Sequence, residues 1–180
     1  MTKQRSKKVF GNLLTCFYFM KVISVIFILL MISRVENAFS QDVKIVSFDE
    51  LMKTINNEDG KSKLVNFWAT WCKPCVDELP YFVQAASEWK ADDVEFIFVS
   101  VDFQSVHSNV VEKAKQLGLK GTVVHLNVTG NDWIDEVDKN WSGAIPYTIL
   151  ILPDGKRIDH YDQFENYEAL KTFLDTNNSN

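Results

Sequence analysis

The stretch Asn66-Phe67-Trp68-Ala69-Thr70-Trp71-Cys72-Lys73-Pro74-Cys75 decides how this chain reads. It starts inside Lys63–Trp68 (KLVNFW), a short apolar run bounded by polar residues, as a buried strand is. It ends where a helical pattern begins: from Pro74 to about Lys90, Val76, Leu79, Phe82, Val83 and Ala86 fall on one face. Pro80 is expected to kink that helix, because it lacks the N–H and crowds the carbonyl four residues back. A Cys-x-x-Cys pair at such a strand-to-helix junction can close a small ring with little strain. Cys72 then sits at the helix N-terminus, where free N–H groups and the helix dipole stabilise its thiolate. Lys73 adds a nearby cation, and Pro74 suits the first turn, where its missing N–H is not needed. Cys75, one turn further in, is expected to be more buried and less reactive. The chemistry predicted is attack by Cys72 on a partner's disulfide, then release of the reduced partner by Cys75.

Competing readings of the pair are weaker. A static exported disulfide would close so small a loop that it constrains the unfolded chain little. Two cysteines cannot complete a tetrahedral zinc site, and no histidine neighbours them in sequence, so no metal is expected. A copper-delivery module would want wider spacing and a nearby histidine. A peroxidase would want a cysteine with its own peroxide pocket, which a vicinal pair argues against.

Outward from the motif the body alternates strands and helices. Val43–Phe48 reads as a strand, Asp49–Asn56 as a helix and Asn57-Glu58-Asp59-Gly60 as a turn. Val94–Val101 (VEFIFVSV) is nearly continuous in β-branched and aromatic residues, as a central strand covered on both faces is. Asn109–Leu117 reads as a helix stopped by Gly118, Thr122–Leu126 as a strand and Trp133–Asn140 as a short helix. Tyr147–Leu152 and Arg157–Tyr161 flank Pro153-Asp154-Gly155-Lys156 as a hairpin, and Asn166–Asp175 is a last helix. The order βαβαβαβαββα predicts an α/β fold, a mixed sheet flanked by helices on both sides.

The 180 residues suffice for one domain, 41–180, plus a targeting segment, 1–40. The net charge of −5 is unevenly placed: residues 1–40 hold six cations and one anion, so the rest is strongly acidic. Such a body has no electrostatic footprint for nucleic acid. Of three cysteines, Cys16 lies in the leader, so no structural disulfide framework holds the body. In the leader, Val22–Ile32 is an apolar core of signal-peptide length, and Ala38-Phe39-Ser40 suits cleavage before Gln41. Translation starting at Met20 would give a compact signal peptide. Alternatively Leu13–Ile32 is long enough to be an uncleaved anchor, with Lys21 snorkelling. Either way the basic residues stay inside and the domain goes out, to the periplasm or the outer face of the inner membrane.

The quoted segment resembles the active site of the thioredoxin superfamily, in the variant of exported TlpA/ResA-type thiol–disulfide oxidoreductases. Ala144-Ile145-Pro146-Tyr147 resembles that family's cis-proline loop, and the Pro153–Lys156 turn and final helix match its ending; the likeness covers roughly 43–177. It implies a thioredoxin-like fold with an extra N-terminal strand and an inserted helical unit around 105–120. It implies disulfide reduction with no cofactor beyond the Cys72–Cys75 disulfide. Trp71, Lys73, Pro74, Ile145 and Pro146 would form the substrate-binding surface. Protein disulfides, including those of apocytochromes c, would be the substrates, and a membrane thiol carrier the electron donor, since no nicotinamide or flavin fingerprint is present. Oxidase or isomerase action stays open, because direction follows the reduction potential.

Two departures matter. Where thioredoxin carries a buried Asp, this chain has Asn66, which cannot exchange a proton near neutral pH. Glu78, three residues after Cys75 and so on a neighbouring helical face, is the expected substitute; Glu78-Leu79-Pro80 resembles the Glu-x-Pro of ResA-type reductases. Tyr147 stands where many relatives carry Thr, which leaves substrate choice and simple packing both open. His107, His125 and His160 read as scattered surface or loop residues, and Trp89, Trp133 and Trp141 as core aromatics.

Overall fold

The computed structural model describes Lys21 and residues 42–89 and 93–178. The chain divides into two compact units, Met1–Phe39 and Ser40–Asn180. The expected cleavage site, anchor and alternative start lie outside the described residues. Among the described residues no helix is long and apolar enough to cross a membrane.

The second unit follows the expected order. Its strands are β1 (Val43–Ser47), β2 (Ser62–Trp68), β3 (Val94–Ser100), β4 (Thr122–Asn127), β5 (Tyr147–Ile151) and β6 (Arg157–His160). Its helices are α1 (Phe48–Ile55), α2 (Lys73–Glu88), α3 (His107–Leu117), α4 (Asp132–Val137) and α5 (Tyr167–Asn178), with a 3₁₀ turn at Gln104–Val106. The strands form one sheet ordered β1-β4-β3-β2-β5-β6. Neighbours are parallel from β1 to β2, whereas β5 and β6 run antiparallel. β1 is therefore the extra N-terminal strand, and the turn with α3 is the inserted helical unit.

Local chemistry explains the ends. Ser47 caps α1 in a capping box: its hydroxyl accepts from the Glu50 N–H, and the Glu50 carboxylate accepts from the Ser47 N–H. Gly118 ends α3 in the left-handed conformation, φ 66°, which glycine adopts without penalty. Pro80 does not break α2, which runs unbroken to Glu88.

The two-residue period of the strands sorts the core into two layers. Leu64 and Trp68 of β2, Phe96 and Phe98 of β3 and Leu150 of β5 pack with Leu79 and Phe82 of α2, Val110 and Ala114 of α3, and Leu170 and Leu174 of α5. Val65, Phe67, Ile97, Val99 and Ile149 pack on the opposite face with Leu51 and Ile55 of α1, Val137 of α4 and Trp141. β2 is buried along its whole length. The buried stripe of α2 differs from the expected one: Cys75, Glu78, Leu79, Phe82 and Ala85 are buried, while Val76, Val83 and Ala86 are half-buried. An apolar-only reading missed that a carboxylate belongs to this stripe.

Candidate active site

Cys72 and Cys75 form a disulfide at the N-terminus of α2. Cys72 is the helix cap: the Cys75 N–H points at its Sγ, 3.3 Å away, so a free helix donor faces the sulfur that would carry thiolate charge. Cys72 is 5% exposed and Cys75 is fully buried, the expected order of burial. Lys73 and Pro74 are exposed beside them, and Trp71 is 67% exposed. The Lys73 ammonium lies 2.5 Å from the Asp77 carboxylate, an exposed pair that offsets the cation expected to favour the thiolate.

The Ile145–Pro146 peptide bond is cis, as the resemblance implied. It brings the Ile145 carbonyl oxygen to 3.7 Å from Cys72 Sγ. Ile145 itself is half-buried. Tyr147, the next residue, turns inward. It stacks between Trp141 and Tyr161 and against Phe67. Its hydroxyl donates to Asp159 (2.6 Å) and accepts from Arg157 (2.5 Å). Burial foremost, with the bond to Asp159, pushes its pKa far up, so it stays protonated. Of the two roles left open for Tyr147, packing is the one its contacts describe. Trp141 is core; Trp133 and Trp89 are half-buried.

Glu78 is fully buried. Asn66 Nδ2 donates to its Oε1 at 2.9 Å, and the Phe164 N–H donates to its Oε2 at 2.8 Å. No cation pairs with it among these contacts. Burial raises its pKa to about 7, against the two hydrogen bonds, which lower it. A carboxyl half-protonated near neutral pH, one helical turn from Cys75, can take and return a proton in either direction. Asn66 also donates to Thr148 Oγ1 at 3.0 Å, its cross-strand partner on β5.

Two features escaped the sequence reading. The first is Asp102, buried beyond the end of β3. Its carboxylate accepts from the Thr70 N–H (2.9 Å), the Thr70 hydroxyl (2.5 Å) and the Ser100 hydroxyl (2.8 Å). It therefore fixes the turn leading into Cys72. The second corrects the histidines. His125 is fully buried on β4, not at the surface, and its ring stacks on His107. Its Nε2 lies 2.8 Å from the Asp102 carbonyl, which can only accept, so Nε2 carries a hydrogen. The two Nδ1 atoms are 2.9 Å apart, so one of them donates to the other. A scattered-residue reading failed because the β3–β4 pairing sets Ser100 beside His125 and joins distant positions. His160 is half-buried and stacks on Phe164. Among the described residues no group of His, Cys, Asp and Glu could hold a metal ion.

The AhpC/TSA family matches residues 37–174. The thiol-disulfide oxidoreductase ResA of Bacillus thuringiensis (strain Al Hakam) is 32% identical over 119 residues, 64% of this chain and 62% of that protein. ResA of Bacillus subtilis (strain 168) is 35% identical over 97 residues, 54% of this chain and 50% of that protein. The chain thus spans half to three-fifths of the length of these curated relatives. The crystal structure of a thioredoxin-related protein from Neisseria meningitidis serogroup B superposes with a TM-score of 0.55 at 22% identity, over 66% of this chain and 86% of that one. That likeness is one of fold, and it matches the sheet and helices described above. By the match over most of its length, the chain belongs to the AhpC/TSA family, and its fold is thioredoxin-like.

Proposed function

We propose that this protein is an exported thiol–disulfide oxidoreductase that reduces protein disulfides through Cys72 and Cys75. The observation that carries the reading is the Cys72–Cys75 disulfide at the N-terminus of α2, its outer sulfur beside the carbonyl of a cis Ile145–Pro146 bond. In the reduced enzyme the Cys72 thiolate attacks one sulfur of the substrate disulfide. A Cys72–substrate bond forms, the substrate S–S bond breaks, and one substrate thiolate leaves. Cys75 gives its proton to Glu78 and attacks Cys72 Sγ; the enzyme disulfide forms and the second substrate thiolate leaves. The substrate gains two electrons and the dithiol loses them. Trp71, Lys73, Pro74, Ile145 and Pro146 form the surface over which the substrate segment lies.

The compartment follows from the basic, apolar leader, as signal peptide or anchor, which puts the domain in the periplasm or on the outer face of the inner membrane. The substrate class is exported protein disulfides, with apocytochromes c, and hence cytochrome c maturation, as the setting implied by the ResA-type resemblance. A membrane thiol carrier would restore the dithiol.

Reduction rather than oxidation is tested by the equilibrium potential of the pair against glutathione and dithiothreitol buffers. A value at or below about −250 mV is expected of a reductase, and one near −120 mV would make it an oxidant instead. Insulin reduction with dithiothreitol supplies the companion assay. Wild type is expected to accelerate it, and no acceleration with any dithiol would overturn the enzyme reading.

A further inference from the structure

The Asn66 side chain holds one hydrogen-bonding atom with no partner. Its Nδ2 donates to Glu78 Oε1 and Thr148 Oγ1, while its Oδ1, on the other side of the same buried amide, has no partner among the described residues. That arrangement suits an ionised Glu78. It does not suit a protonated one. The Phe164 N–H needs Oε2 as acceptor, so the acid hydrogen belongs on Oε1, where it would meet the Asn66 amide hydrogens head-on.

We infer that Asn66 is a rotor that follows the proton on Glu78. With Glu78 ionised, Nδ2 faces Oε1. With Glu78 protonated, the amide turns by half a revolution, Oδ1 accepts the hydrogen of Oε1, and the Thr148 hydroxyl turns to donate to Oδ1. Either orientation leaves one end of the amide without a partner. The two therefore differ chiefly in what faces Glu78, and its proton decides between them. Both charge states of the carboxyl are then hydrogen-bonded, which lets a buried acid load and unload a proton without losing its own partners. An Asp in this place would bring a second charge; an apolar residue would serve neither state. Asn66 thus acts through Glu78 as a positioning residue. This inference deepens the relay role given to Glu78 above.

A second titratable group on this face is His160, cross-strand partner of Thr148 and stacked on Phe164. Burial holds its pKa below the usual imidazole value, against the nearby Asp162 carboxylate. Glu165 follows Phe164 in the same loop, and Cys75 lies on α2 itself, held in the disulfide.

The test is NMR on the isotopically labelled full chain, oxidised and without substrate, so it is independent of any activity. Contacts between the Asn66 Nδ2 hydrogens and the Thr148 methyl group are expected above pH 8 and lost below pH 5. The change should share its midpoint with the Glu78 carboxyl carbon and persist in His160→Phe. Glu78→Gln, whose carbonyl must face the Phe164 N–H, should present its own amide hydrogens to Asn66 and lock the low-pH pattern at every pH. An amide whose contacts stay constant while Glu78 titrates would overturn the rotor. So would one that still turns with pH in Glu78→Gln.

A second observation stands apart from the first. Phe103 is 82% exposed, the largest value among the exposed large apolar residues described. Its backbone is held: its carbonyl accepts from the Val106 N–H, and it directly follows Asp102. Asp102 grips Thr70, which directly precedes Trp71, and the Val101 N–H donates to the Trp68 carbonyl. Segments 68–72 and 101–103 therefore run side by side, and each presents an exposed aromatic next to the turn that carries Cys72. The geometry points to Phe103 as a specificity residue that receives an apolar or aromatic side chain flanking the cysteine of a substrate polypeptide. This rests on the dithiol reading.

Two disulfide-linked model peptides, identical except for Phe or Ser two residues from the cysteine, and glutathione disulfide as the small probe, separate the possibilities. Phe103→Ser is expected to slow exchange with the Phe peptide at least five-fold and to leave the Ser peptide and glutathione disulfide unchanged, with Phe103→Leu restoring most of the loss. Equal rates on both peptides in wild type and variant would overturn the assignment while leaving the chemistry intact. A wild type that exchanges with none of the three overturns the chemistry and this assignment together.

Discussion

Cys75→Ser, reduced and mixed with a protein disulfide, is expected to react once and stop as a covalent complex through Cys72. Cys72→Ser is expected to form no complex, and both variants lose insulin reduction down to the background of dithiothreitol alone. The asymmetry follows from position. Cys72 caps α2 with a helix N–H aimed at its sulfur, whereas Cys75 is sealed beneath it and can reach only Cys72. A serine at 75 leaves the first displacement intact and removes the second, so the intermediate accumulates. The substitution buries a hydroxyl in an apolar setting, which costs about 1–3 kcal/mol of stability, small enough for a folded trap. Non-reducing electrophoresis and mass spectrometry of the adduct provide the check. An adduct on Cys75 in the Cys72→Ser protein would reverse the assigned roles.

Glu78→Gln is expected to flatten the pH dependence of both stability and turnover near neutrality. The sign follows from burial. The folded state holds the Glu78 proton with a pKa of about 7 against an ordinary 4.5, so between these values it binds the proton and the unfolded chain does not. Stability from this group is therefore full below about pH 4.5 and falls as pH rises to about 7, by about 3 kcal/mol in all. The variant lacks that fall and should be the more stable protein above pH 8, measured by urea denaturation at a series of pH values. Loss of the proton acceptor should meanwhile slow the step in which Cys75 closes the disulfide by roughly 100-fold, the low end of general acid–base contributions. Wild-type turnover should show an inflection near pH 7 that the variant lacks. Unchanged cysteine pKa values together with an unchanged reduction rate would remove Glu78 from the chemistry.

Much of this was legible in order of residues alone, for stated reasons. Continuous apolar runs such as Val94–Val101 mark strands covered on both faces, and β3 is one. Gly118 marked the end of α3, and Trp71-Cys72-Lys73-Pro74-Cys75 marked the start of α2, because each depends on backbone rules that act within a few residues. What failed were readings that sorted residues by polarity. Glu78 occupies the buried stripe of α2 because Asn66 and the Phe164 N–H await it there. His125 is buried because His107 and the Asp102 carbonyl satisfy both of its nitrogens. Burial of a polar group depends on partners, and these lie 12 to 86 residues away.

The Cys72–Cys75 pair, its helix-capping position and the order of strands and helices were determined by sequence, since short-range spacing and periodicity act before any long-range contact forms. The proton affinity of Glu78, the clamp of Asp102 on the turn before Cys72 and the inward turn of Tyr147 were decided by tertiary structure. Each arises where the fold brings residues far apart in the chain together around a buried side chain. There the energy of a charge or an amide is set by what surrounds it rather than by its neighbours in the chain.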